Sequence, residues 1–114
     1  MPILNQGKFN AEFLLHYDNK YSLDVVTLAA AASALSAGTL LGKIAATGKF
    51  VAYSNAANDG SEVAVAILKD NVADSTADQK VVVVSRHAEV QASELTGLDT
   101  PARADLTALG IILR

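Results

Sequence analysis

The sequence predicts a mainly β fold: a small β-barrel domain with one short C-terminal helix, preceded by an extended N-terminal arm. Hydrophobic residues make up 51% of the 114 positions, but most are Ala and Val, with three Phe, three Tyr and no Trp. β-branched Val packs well on a pleated surface, so such small side chains suit thin β layers better than a helical bundle. The β-prone segments are short and punctuated by Gly, Asn and Asp, and the length fits a single domain.

The first half of the domain predicts a strand followed by a hairpin. Leu23–Leu28 forms the strand, and the Ala-rich run 29–37 is compatible with either a helix ending at Gly38 or an irregular loop. Residues 39–45 and 50–53 are β-prone and are joined by a short link, in which Gly48 is expected to take a positive φ.

The second half predicts two further strands. A turn-rich loop at 55–61 leads to a strand over 63–68, and a polar loop at 69–79 leads to a long strand over 80–90. That strand contains four consecutive valines, 81–84. An uninterrupted apolar run of this kind indicates that both faces are covered, by the domain or by a neighbouring subunit.

The C-terminal segment carries the start and stop signals of a helix. Asp99 or Thr100 can cap it, and Pro101 fits its first turn, where the missing N–H has little effect. Gly110 ends the helix, and residues 111–113 are expected to return as a last strand.

Composition argues against several classes of protein. The formal net charge is −3 with both signs interspersed, so the basic footprint of a nucleic-acid binder is missing. The chain has no cysteine, which removes disulfides and Cys-type zinc sites. The uncharged stretch 25–42 is rich in Ala, Ser, Thr and Gly, so we expect no membrane insertion.

No motif points to catalysis. His87-Ala88-Glu89 has the spacing of the zinc deaminases, but their two cysteine ligands are missing, and alternate residues of one strand explain the pattern. Residues 42–50 superficially match a phosphate-binding loop, but five residues separate the glycines and Phe50 replaces the magnesium-binding Ser or Thr. His16 and His87 are the only histidines. We therefore expect no catalytic residue, no metal site and no cofactor.

The first twenty residues are expected to form an arm, and residues 21–114 the domain. The arm carries apolar side chains without a helical stripe or a turn pair behind them: Phe9, Phe13, Leu14, Leu15 and Tyr17. Packing back onto their own core is the usual outcome for such residues. An extended apolar arm at a chain end also fits the sheet edge of a partner, and we predict that these five residues bind one.

Several segments, in this order, resemble the lambda-type bacteriophage head decoration protein (protein D) family. They are Glu12-Phe13-Leu14-Leu15, the segment Ala37-Gly38-Thr39-Leu40-Leu41-Gly42-Lys43-Ile44, the hairpin at 46–51, the segment 59–68, and Ala108-Leu109-Gly110-Ile111. The resemblance runs from about Phe9 to Arg114. Each motif alone is weak, and their order and spacing make the match specific.

The resemblance implies a β-clip-like fold and a homotrimer on the outer surface of a phage capsid, where it braces the major capsid protein after expansion. It implies a location in the virion, after assembly in the host cytoplasm. It also implies that the N-terminal arm, the stretch before Tyr21, becomes ordered on the capsid, and that there is no cofactor, nucleic acid or membrane partner.

A small β-barrel carrier or ligand-binding domain of the biotinyl or lipoyl type is the alternative. In that reading residues 37–44 form a barrel strand and Lys49 is the modified lysine at a hairpin tip. The neighbours Gly48 and Phe50 lack the acidic or methionine residues that the modifying enzymes recognise.

Overall fold

The computed structural model describes residues 14–16, 22–30 and 34–114. Within these ranges the chain forms eight strands, a 3-10 turn at Ala92–Glu94 and one α-helix. The strands are β1 (Leu14–His16), β2 (Leu23–Leu28), β3 (Leu40–Lys43), β4 (Phe50–Ala52), β5 (Ala66–Leu68), β6 (Gln79–Val84), β7 (Glu89–Val90) and β8 (Ile112–Leu113), and the helix is α1 (Thr100–Ala108). The predicted mainly β fold with a short C-terminal helix is confirmed.

Five of the strands close into a barrel in the order β2-β4-β3-β5-β6. The longest pairing joins β2 and β6 in antiparallel register, from Leu23 opposite Val84 to Leu28 opposite Gln79. Closure between β2 and β4 depends on one parallel pair, Leu28 with Phe50. The remaining strands form a second sheet beside the barrel, in the order β1-β7-β8.

The predicted hairpin is confirmed between β3 and β4. Gly48 has a φ of +74°, and its N–H donates to the Ile44 carbonyl at 2.8 Å. The Ile44 N–H in turn donates to the Lys49 carbonyl at 2.9 Å. Glycine takes this left-handed conformation without steric penalty, which explains its place in the turn.

Alternating side chains of the barrel strands divide the core into two clusters. The smaller cluster fills the barrel interior and includes Leu41, Val81 and Val83. The larger cluster lies under α1 and the three-stranded sheet, and it includes Val84 and Leu106. Val83 and Val84 are both completely buried, so the prediction that the valine run is covered on two faces holds for these two positions, and the domain itself provides the cover.

Helix α1 begins as the sequence predicts. The Asp99 carboxylate caps it by accepting the Ala102 N–H at 2.9 Å, and Pro101 occupies the first turn. The same carboxylate oxygen accepts the Tyr53 hydroxyl proton at 2.9 Å. Asp99 therefore joins the helix start to the end of β4.

The predicted long strand over 80–90 is wrong, because the chain breaks it into β6 and β7. His87 lies between them with a φ of +46°, a left-handed conformation that a continuous strand does not contain. The strand predicted over 63–68 is also shorter and begins at Ala66. Its first part is diverted because the Ala64 N–H donates to the Asp105 carboxylate of α1 at 3.0 Å.

The Ala-rich run is not helical where the structure describes it, at residues 29–30 and 34–37. Leu35 instead forms an antiparallel bridge with Val72. Each residue donates its N–H to the carbonyl of the other, with both N···O distances at 2.8 Å. The Ala37 N–H donates to the Asn71 side chain at 2.7 Å. Contacts with the 71–72 loop thus outweigh the helix propensity of alanine, and the loop alternative is correct there.

Candidate functional site

The predicted arm reaches the three-stranded sheet of its own domain. Its segment Leu14–His16 is β1, which pairs antiparallel with β7 in the register Leu14 to Val90 and His16 to Glu89. The Leu14 side chain is half-buried and packs against the larger core cluster. Of the five predicted binding residues, the structure therefore places Leu14 on the domain itself.

Phe9, Phe13 and Tyr17 lie outside the described residues, and Leu15 is described only by its backbone in β1. Their role in binding a partner stays a prediction, as does the extended arm.

The sequence shows no turn pair behind the arm, yet residues 14–16 pair with a strand of their own domain. No turn pair follows the segment because its partner is not the next strand. Leu14 and Val90 are 76 positions apart in the sequence, and such a pairing leaves no local signal.

The domain end of the arm is fixed at the corner between β6 and β7. Ser22 is fully buried, and its hydroxyl donates to the His87 carbonyl at 2.8 Å, while its own carbonyl accepts the Ser85 N–H at 2.8 Å. Asp24 accepts hydrogen bonds from Arg86 and from the Ser85 hydroxyl. These contacts, that from Arg86 above all, lower the pKa of the Asp24 carboxyl below its ordinary value.

His87 and Glu89 do not share one face of a strand, as the sequence suggested. His87 is in the left-handed turn before β7, whereas the Glu89 carboxylate accepts the Arg114 Nε proton at 2.8 Å. In the described ranges no three His, Asp or Glu side chains gather closely enough to hold a metal ion. The H-x-E pattern is thus explained by a turn and a surface ion pair.

Lys49, the lysine of the carrier alternative, is engaged by a neighbouring loop. Its Nζ lies 2.7 Å from Asp78 Oδ2, and both side chains are partly exposed. Lys49 and the Ala30 N–H lower the pKa of the Asp78 carboxyl. The lysine thus helps to hold the 73–78 loop against the hairpin.

Three large apolar side chains are exposed among the described residues: Val25, Val63 and Ile112. Ile112 is 50% exposed on the outer strand β8. Ile112 lines two grooves, one of about 590 Å³ that Arg103 and Thr107 of α1 also line, and one of about 220 Å³ that His87 also lines. The sequence predicts strands at all three positions, but strand alternation does not reveal which face a partner could cover.

Comparison with known proteins identifies a family. A family model described as "Bacteriophage lambda head decoration protein D" matches residues 3–111, nearly the whole chain. A search of curated proteins finds no match. In the described part of the chain, no helix is long and apolar enough to cross a membrane.

Proposed function

Because the chain belongs to the bacteriophage lambda head decoration protein D family, we propose that it binds the outer surface of the expanded phage capsid as a homotrimer and reinforces the major capsid protein lattice. The family is a structural one of the virion and not a class of enzymes. The observation that carries the proposal is the match over residues 3–111, which covers the arm segment as well as the domain.

Several features of the molecule support a scaffolding role. The described residues form a closed barrel whose interior is filled by apolar side chains, as suits a rigid structural body. The exposed apolar residues Val25, Val63 and Ile112 lie on its surface, where contacts between subunits or with a capsid would bury them. The net charge of −3 supplies no basic patch for nucleic acid.

Co-sedimentation with heads tests attachment directly. The purified protein is mixed with expanded and with unexpanded heads assembled from the capsid protein of the same phage, and the pellets are analysed. We expect the protein to pellet with expanded heads alone. Equal amounts in both pellets, or none in either, would contradict the proposal.

Reconstruction of decorated heads tests the homotrimer. Density for this chain should have three-fold symmetry, with three copies around each axis. Isolated dimers across two-fold axes would contradict the trimer while leaving decoration intact.

For the arm we propose that its five apolar residues bind at a capsid sheet edge, where main-chain hydrogen bonds fix the register. They are Phe9, Phe13, Leu14, Leu15 and Tyr17. Burying one Phe contributes roughly 1.5–3 kcal/mol, so Phe13→Ala should weaken each arm by about 10-fold or more, and a trimer would multiply the effect. Asn10→Ala, a polar position of the same arm, is the matched control and should attach normally. Normal attachment of Phe13→Ala would place the binding surface elsewhere.

The carrier alternative predicts a covalently modified Lys49. Intact-mass measurement of the protein from infected cells should give the mass of the unmodified chain. Added mass on Lys49 would favour the carrier.

A further inference from the structure

The pairing between β1 and β7 is a short one at the edge of the three-stranded sheet. β7 has two residues, limited by the left-handed His87 on one side and the 3-10 turn Ala92–Glu94 on the other. β1 has three residues, and its register shifts between Leu14 and His16. A bulged edge strand on so short a partner opens more readily than the barrel strands, which are paired on both sides.

Leu14 is the side chain that this pairing anchors. It packs against the larger core cluster, beside Val90, which is fully buried. A side chain packed in its own core cannot fill a pocket on another protein. Leu14 therefore has two mutually exclusive positions if the arm uses it on a capsid.

The geometry also keeps a released segment close to its site. His16 pairs with Glu89, and Ser22 is held by His87 and Ser85 at the adjoining corner. Five residues, 17–21, connect these two fixed points. So short a connection keeps a released segment at a high local concentration around β7, which favours its docking again.

We infer that residues 14–16 form a releasable strap: the free protein holds the strap on its own β7, and attachment to a head requires its release. The inference rests on the proposed capsid attachment through the arm. It deepens that proposal, because only chains with an open strap can attach. The apparent affinity for heads is then the intrinsic affinity multiplied by the fraction of chains whose strap is open.

A disulfide staple tests the need for release, and the natural chain has no cysteine to interfere. Leu14 and Val90 are directly opposite each other in an antiparallel pair, where Cα atoms are about 4.5–5.5 Å apart, a spacing that a disulfide accepts. Attachment to heads is measured for the Leu14→Cys, Val90→Cys double variant in its oxidised form and in its reduced form. The matched control, Val25→Cys with Val82→Cys, staples a cross-strand pair within the barrel.

We expect the oxidised strap variant to attach to expanded heads at least about 10-fold more weakly than its reduced form. The barrel staple should attach equally in both forms. Equal attachment of oxidised and reduced strap variants would overturn the inference, because the arm would then work while docked. Disulfides formed between chains would also overturn it, since they would show that β7 is not covered by its own arm.

Thiol labelling of the free protein tests the strap without heads. A single Val90→Cys variant should react with a thiol reagent at least about 10-fold faster than Leu106→Cys, an equally buried position in α1. Circular dichroism under the same conditions verifies that both variants are folded. Equal labelling rates would overturn the inference, since Val90 would then be uncovered only by global unfolding.

The two measurements separate the strap from the proposed function. Wild-type protein that does not attach to expanded heads would refute capsid decoration, and the labelling rates alone would then decide whether the strap opens. Wild-type protein that attaches, together with an oxidised staple that does not impair it, would refute the strap and leave capsid decoration standing.

Discussion

Two N-terminal deletions distinguish the part of the arm that belongs to the domain from the part that does not. Deletion of residues 2–13 leaves every described contact in place. Deletion of residues 2–20 also removes β1, so the Leu14 side chain leaves the core cluster and Val90 loses its cover on that edge. We therefore propose that the domain begins near Leu14, earlier than the boundary at residue 21 that the sequence predicts.

The size of the difference follows from the burial of these two side chains. Complete burial of a Leu or Val stabilises by roughly 1.5–3 kcal/mol, and Leu14 is half-buried. The deletion also removes the conformational-entropy cost of ordering this segment on folding, which offsets part of the loss. We expect the longer deletion to reduce the free energy of unfolding by about 1–2 kcal/mol, which lowers Tm by roughly 4–8 °C in a domain of this size.

Thermal unfolding followed by circular dichroism measures both deletions against the full chain. The shorter deletion should melt within about 2 °C of the full chain, because it removes no described contact. Both deletions should lose attachment to heads, since both remove Phe9 and Phe13. A longer deletion that melts with the full chain would show that Leu14 contributes no stability and would refute the docked β1.

Three further predictions concern the barrel, the helix start and the attachment. Gly42→Ala should destabilise the domain by about 2–3 kcal/mol, because a Cβ there would lie 2.5 Å from the Ser61 backbone. The control Lys43→Ala, at the exposed neighbouring position, should change stability little. Equal free energies of unfolding for the two variants in denaturant titrations would contradict this. Burial, and next the hydrogen bond to Asp99, raises the pKa of Tyr53 from 10.0 to about 12. The unfolded chain therefore loses this proton first, so stability should fall as pH rises from about 10 to about 12. Tyr53→Phe should lack this component of the alkaline loss in urea titrations. Attachment to heads should weaken less than about 100-fold between low and high ionic strength, because the proposed contacts are apolar and main-chain; a larger loss in a binding titration would show a chiefly electrostatic attachment.

Local sequence signals correctly predicted the elements whose causes are local. The Gly48 turn between β3 and β4, the Asp99 cap of α1 and the Leu23–Leu28 strand each depend on residues a few positions apart. Composition and charge pointed away from nucleic acid and Cys-type metal chemistry, and ordered motifs identified the family that the match over residues 3–111 then showed.

The tertiary structure decided the features that depend on residues far apart in the chain. The strand breaks at His87, where the backbone turns and the His87 carbonyl accepts a hydrogen bond from Ser22, 65 positions away. The continuous β propensity of residues 80–90 therefore did not predict this break. The pairing of Leu14 with Val90 was likewise invisible, because the edge that β7 offers exists only after the barrel and α1 have placed it. A sequence therefore shows that an arm is apolar. Where the arm docks depends on the free energy of its pairing with each available sheet edge, which only the folded structure defines.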